Sequence, residues 1–329
     1  AFNNKSSAER FLFTCYSFVP EHGKIGTDPG MDVGDEVWYY SDNSADYSNK
    51  TTFWIAKGMQ NSNEPLVDYW NGAQWGKAMF VGIRDCNVFI ENIDKVPDLS
   101  AYDKETWKAE AKVLKAFYHF WMMRMYGPIP IIKENIPVSA GEDEVRVVRD
   151  KIDDIVTYIV SLIDESVEYL PLNIQNEAAE MGRITRPAAK AIKAKILAFA
   201  ASPFFNGNLD YANFKNAEGE PFFNQVYDNE KWTKAADACL EAIQCAEEAG
   251  HGLYEFVNMS STQLSDETIL SLSNRCKVTE RWNKELVWGC GQSGIRDLQV
   301  LCQPWLESNY SSDDRYHNAR NGTFAPTLA

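Results

Sequence analysis

The groups from which this chain could build chemistry are four histidines, seven cysteines and 47 acids, and their spacing decides which chemistries are open to it. His22, His119, His251 and His317 stand apart, with no second His or Cys at metal-ligand spacing. His119 falls inside a long helical pattern, where a satisfied or half-exposed histidine is commoner than a base. No G-x-S-x-G, P-loop or H-E-x-x-H pattern occurs. Gly289-Cys290-Gly291-Gln292-Ser293-Gly294 spells G-x-G-x-x-G after Glu285-Leu286-Val287-Trp288, which reads as a short strand, and Asp313 lies where a ribose-binding acid would fall. No second parallel strand accompanies it, so a glycine-rich turn after an edge strand is the better reading. Acids such as Asp32, Asp35 and Glu36 could flank a sugar as a glycosidase pair, but so many carboxylates create such pairs by number alone. Cys15, Cys86, Cys239, Cys245, Cys276, Cys290 and Cys302 include no CxxC. Cys239 and Cys245 are about 9 Å apart along one helix, too far to bridge, and the set reads as small buried hydrophobes. No metal and no cofactor is expected.

The aromatics are more informative. Rings on amphipathic helices are core by default, but rings in polar loops need another explanation. Trp38, Tyr39, Tyr40 and Trp54 share one stretch with Asp42, Asn43, Asp46 and Asn49, and Trp282 stands between Arg281 and Asn283. A flat ring covers the apolar C–H face of a pyranose while amides and carboxylates satisfy its hydroxyls. The expected ligand-binding residues are therefore Trp54, with Trp38 or Tyr40, Asp42 and Asn43, and Trp282. For any one ring, the alternative that it pins down a long loop stays open. Each ring removes about 150 to 250 Å² from water, worth at most about 4 to 6 kcal/mol before binding costs, so one or two platforms give only weak capture.

The elements that must position these residues are helices. From Trp107 to Met125 the apolar residues recur at steps of three and four, the period of a helix with a wide buried face. Ser100 to Asp103 caps its start; Gly127 and Pro128 end it, and Ile129-Pro130-Ile131-Ile132 follows as an extended apolar segment. Other helices are expected from Ala8 to Phe18, from Pro65 to Ile90, from Val147 to Leu170, from Thr185 to Pro203, and from Trp232 to Ala249. A further short helix near Ile295 to Cys302 is allowed by the pattern. Trp75-x-x-Ala78, Trp107-x-x-Glu110-Ala111 and Trp232-x-x-Ala235-Ala236 each echo the opening of a tetratricopeptide unit. The expected fold is all-α: antiparallel helix pairs in a superhelix under an irregular loop-rich layer.

Lys and Arg number 32 against 47 Asp and Glu, for a net charge of -15, which argues against nucleic acid or an anionic membrane as partner. The longest apolar run, Ile196 to Ser202 with its Pro203-Phe204-Phe205 continuation, is about half what a bilayer crossing needs. The chain begins at Ala1 with no leader in view.

The stretch A-E-A-K-V-L-K-A-F-Y-H-F-W-M-M-R-M-Y-G-P-I-P-I-I, Ala109 to Ile132, resembles the signature of the SusD/RagB family. Gly182-Arg183-Ile184-Thr185 through Ala200-Ala201-Ser202-Pro203-Phe204-Phe205-Asn206 is similar to the family's next long helix and its S-P exit, and weaker similarity covers Ala8 to Phe18, Tyr69 to Asp94 and Trp232 to Gly250. The resemblance implies a tetratricopeptide-like superhelix with a loop-built glycan face, no catalysis, and a cell-surface lipoprotein of the Gram-negative outer membrane. It further implies delivery of a glycan or oligosaccharide, such as starch, to a SusC-like TonB-dependent transporter. Binding residues do not transfer with it, since they vary with the ligand. On this view residues 1–329 form one SusD-like domain, with a helical core at about 64–250 and a ligand face from 21–63, 206–229 and 251–329. The lipidated N-terminal Cys and part of the C-terminal portion are absent from this sequence, which is expected to be truncated at both ends. A helical-barrel-type glycoside hydrolase and a helical-repeat scaffold for peptides or proteins are the alternatives from other classes.

Overall fold

The computed structural model describes residues 2–21, 28–34, 37–39, 54–290 and 324–326. The fold is all-α. Seven helices longer than two turns are described: α1 (Lys5–Tyr16), α2 (Met79–Asn92), α3 (Ala101–Tyr126), α4 (Ile152–Asp164), α5 (Arg186–Ala201), α6 (Glu230–Glu248) and α7 (Asp266–Thr279). The described extended pairing is one antiparallel ladder between β1 (Val37–Tyr39) and β2 (Phe324–Pro326), with Trp38 opposite Ala325. The chain divides into two compact units, one made of Ala1–Cys15 with Ile83–Gly291 and the other of Tyr16–Gly82 with Gln292–Ala329.

The larger unit is organised on α3. The Ser100 hydroxyl accepts the Asp103 N–H at 3.0 Å, which caps the first turn. At the other end Gly127 has φ +70°, its N–H bonds to the Met123 carbonyl, and a Cβ there would lie 3.2 Å from the Phe223 ring. Both conformation and close approach thus require glycine. Leu114, Tyr118, Phe120, Trp121 and Met122 are among the buried side chains between these caps. The apolar segment after Gly127 returns along the helix: the Ile132 N–H donates to His119 Nε2 at 3.2 Å, and His119 Nδ1–H donates to the Lys115 carbonyl at 2.8 Å. That pair of bonds assigns the tautomer. Burial pushes His119 down to about 4 and Lys115 down to about 8, while the Lys115 ammonium donates to the Lys133 carbonyl at 2.6 Å. These are satisfied core groups whose charged forms cost desolvation.

Helix α4 packs on α3 and α5 through Ile152, Ile155, Ile159, Leu162 and Ile163. Helix α6 packs on α5 through small residues, Ala194 meeting Ala238 and Ala242, because alanine lets two helix axes approach. The loop between them carries Phe204, Phe205, Tyr211 and Phe223, whose rings pack on one another at centroid distances of 4.8 to 5.9 Å. Phe205 and Phe223 anchor the loop from within, while Phe204 and Tyr211 reach the surface.

In the smaller unit, Pro65 does not open a helix as its position suggests. The Asp68 carboxylate accepts the Trp70 N–H at 2.8 Å and the Asn71 N–H at 3.1 Å, and Val67, Gln74 and Trp75 adopt left-handed backbone. Side-chain capture of successive amides competes with helix formation, so α2 starts only at Met79, where the N–H bonds to the Tyr69 carbonyl at 3.0 Å. Trp75 therefore lies in a turn, 62% exposed, and its echo of a repeat opening is not matched by a helix.

Candidate functional site

A cavity of about 410 Å³ opens in the larger unit where the segment before α5 faces the segment after α7. Its first wall is built by Gly182-Arg183-Ile184-Thr185. The Thr185 hydroxyl caps α5 by accepting the Ala188 N–H. Arg183 is clamped beneath it: Nε and Nη2 donate to both oxygens of Glu110 at 3.1 and 2.6 Å, and the guanidinium stacks over Trp107 at 5.3 Å. Glu110 is buried, so this fork-to-fork pair is a rigid footing, costly to break by removing either partner.

The second wall is a turn held by one side chain. Asn283 Nδ2 donates to the Lys277 and Glu280 carbonyls at 2.8 and 2.9 Å, which satisfies the end of α7, and its Oδ1 accepts the Glu285 N–H at 3.0 Å. Trp282, just before it, has φ +53°, a conformation bulky residues rarely adopt and one that collects at ligand-facing positions. His251 Nδ1–H donates to the Lys284 carbonyl at 3.1 Å, which ties the exit of α6 to this turn. The walls meet through Trp288, whose indole N–H donates to the Gly182 carbonyl at 3.0 Å and whose ring stands edge-on to Phe117 at 5.6 Å. A Cβ on Gly182, at φ +97°, would lie 3.1 Å from the Gly289 carbonyl and 3.7 Å from the Trp282 ring. Half-buried rings of Trp282 and Trp288 and the Leu286 side chain thus share the cavity with Asn173, Glu177 and Asn283. An apolar face beside scattered amides and a carboxylate can bind a neutral, hydroxyl-rich ligand. Among the described residues, no group of three or more His, Cys, Asp or Glu could hold a metal ion.

Of the residues expected from sequence, Trp282 lies on this cavity. Trp54 belongs to the other unit, opens a single helical turn, and is 39% exposed, with its carbonyl accepting the Met59 N–H at 2.9 Å. Trp38 lies on β1 in that same unit. Tyr40, Asp42 and Asn43 lie outside the described residues, as do His22, His317, Cys302, Asp313, most of the glycine motif after Cys290, and the stretch near Ile295 to Cys302. Trp288, Gly182 and His251 were not singled out as site residues from sequence. Glu285–Trp288 forms no strand, because Asn283 bends the chain there and Trp288 bonds across to Gly182. The cysteines divide: Cys15, Cys86 and Cys245 are buried, Cys276 is intermediate, and Cys239 and Cys290 are exposed, against the expectation of burial for all.

Residues 25–197 match the family described as SusD-like, starch-binding associating with outer membrane. The chain belongs to the SusD-like family. A SusD-like protein of Bacteroides ovatus is 31% identical over 99 residues, which is 30% of this chain and 16% of that protein. The solved structure of BT4246 superposes with a TM-score of 0.69 at 29% identity, over 89% of this chain and 51% of that one. Surface glycan-binding protein A from Bacteroides uniformis matches in fold, with a TM-score of 0.62 at 16% identity over 98% of this chain and 60% of its own. The chain thus spans 51% and 60% of the length of these two structures. Among the described residues, no helix is long and apolar enough to cross a membrane.

Proposed function

We propose that this protein is a non-catalytic glycan-binding subunit at the bacterial surface, tethered to the outer membrane by an N-terminal lipid, which hands oligosaccharide to a SusC-like TonB-dependent transporter. The observation that carries the reading is the cavity at Trp282 and Trp288, where rings and amides meet over a rigid Arg183–Glu110 footing, in a chain of a family described as starch-binding and outer-membrane-associated. The name of the B. uniformis relative, a surface glycan-binding protein, points the same way. Trp54, with Trp38 or Tyr40 and with Asp42 and Asn43, is proposed as a further ligand-binding stretch, in the smaller unit.

Affinity electrophoresis and calorimetry against a polysaccharide panel test this. At least one neutral glycan should bind, and Trp282→Ala should weaken it more than tenfold, about 1.4 kcal/mol, with the melting temperature held within about 2 °C. Trp54→Ala should act in the same direction. Reducing-sugar release from the panel, abolished by substituting an acid such as Asp32 or Asp35, would instead make the protein a hydrolase. Absence of glycan binding beside a tight peptide ligand would make it a scaffold.

A further inference from the structure

Among the described residues, four that are not glycine adopt left-handed backbone, and three of them fall in the turn at 67–78 of the smaller unit: Val67 and Gln74 at φ +48° and Trp75 at φ +70°; the fourth is Trp282. Such a conformation costs free energy, persists only where its surroundings fix it, and collects at ligand-facing positions. The surroundings here do fix it. The buried Asp68 carboxylate accepts the Trp70 and Asn71 N–H groups and the Asn71 side-chain amide at 2.8 to 3.1 Å. The Asp68 N–H donates to the Ala73 carbonyl, the Gly72 N–H to the Asp68 carbonyl and the Gly76 N–H to the Ala73 carbonyl, all at 2.9 to 3.0 Å. A Cβ on Gly76 would overlap the Asp68 backbone, so the two arms of the turn are pressed together. The rings then divide. Tyr69 is buried and Trp70 stands edge-on to Phe80 at 4.8 Å, which anchors the turn from within, whereas Trp75 is 62% exposed.

The chemistry beside Trp75 selects the occupant. Asn71, Gly72, Ala73 and Gln74 are exposed, so the turn gives the ring two amides and no apolar rim. Its charged residues are Asp68 and Lys77, and both are engaged: Asp68 in the bonds above, Lys77 through an ammonium that donates to the Ser17 and Val19 carbonyls at 2.8 and 2.7 Å. The ring offers about 150 Å² of open surface, against about 800 Å² on each side of a stable protein interface. That area suits one sugar ring. We propose that this turn is a carbohydrate-binding site of its own, in which Trp75 stacks on one residue of a neutral glycan and the amides of Asn71 and Gln74 bond its hydroxyls. Asn71, whose Nδ2 is held by Asp68, offers Oδ1 as an acceptor. The ligand class rests on the carbohydrate reading proposed above, but the site shares no residue with the Trp282 cavity or with the Trp54 stretch.

Fluorine NMR of the chain labelled with 5-fluorotryptophan tests this, because each tryptophan gives its own resonance and Trp75→Phe and Trp282→Phe assign the two that matter. The probes are malto-, cello-, laminari-, xylo- and manno-oligosaccharides, with oligogalacturonate as the anionic arm. At least one neutral sugar should shift the Trp75 resonance saturably, in the wild type and in Trp282→Ala alike. In the Trp282→Ala background, Trp75→Ala should then lower the affinity for that sugar at least about fivefold. A shift at Trp282 alone overturns this site and leaves the cavity standing; a shift at Trp75 alone does the reverse. Movement of neither resonance by any sugar overturns both, and a response at Trp75 to the anionic sugar only overturns the proposal. Stability separates a binding ring from a structural one. Trp75→Gly releases the left-handed strain, so it should lose the sugar yet melt no more than about 2 °C below the wild type; a larger fall would make Trp75 an anchor of the turn and overturn the site.

Discussion

Helices α3 and α7 start alike and end in opposite environments. Each is capped by a serine, Ser100 accepting the Asp103 N–H at 3.0 Å and Ser265 the Thr268 N–H at 3.2 Å. Yet α3 buries sixteen residues and α7 buries none. The first is held by apolar area removed from water on nearly every side. The second, with the turn that follows it, is held by single polar stitches: Ser273 accepting the Phe256 N–H, Glu285 accepting the Tyr254 N–H, and Asn283 bonding three backbone groups. A stitch is worth about 1 kcal/mol net, whereas a buried large side chain is worth several. The difference separates tasks within one unit. The part around α3 is intolerant of change and carries the fold, while the part around Trp282 can be altered at small cost to stability and is suited to being fitted to a ligand.

The sharpest way to break this comparison is at Trp121, which is 2% exposed in the middle of α3. Trp121→Ala should cost about 3 to 5 kcal/mol in urea unfolding; wild-type stability would mean that α3 is not the centre of the core. The next effect is one of pH. His119 sits at about 4 in the folded chain against 6.5 unfolded, so the fold needs it neutral and the unfolded chain binds the proton more readily. The full contribution is present above about pH 6.5 and is lost as pH falls towards 4, a decline of about 3 kcal/mol. Denaturant midpoints across that range should show it, and His119→Gln should flatten that part of the slope. Asn283→Ala should have the smallest effect on stability, about 1 to 2 kcal/mol. It should nonetheless raise hydrogen exchange across residues 280–289 while leaving α3 protected. Equal loosening of both regions would show that they are one cooperative unit and would remove the contrast.

Periodicity and end signals in the sequence were enough to determine that the chain is all-α and where its principal helices run. The Ser100 cap and Gly127 bracket α3 at Ala101–Tyr126, and Thr185 with Pro187 opens α5, because caps and apolar spacing act within a few residues. For His119 the pattern left a satisfied and a half-exposed ring both open, and packing decided for the fully buried one. Helix α7 was not legible, since a helix that buries nothing carries no apolar stripe. Nor was the turn at 65–78, where the Asp68 side chain outcompetes the helix that Pro65 announces. At the candidate site the sequence singled out Trp282 as a ring in a polar loop but could not say what faces it. Trp288 joins Gly182 across 106 residues, and Arg183 finds Glu110 across 73. Such meetings depend on how helices pack, which local spacing does not encode, so only the tertiary structure decided that these residues form a cavity and its footing.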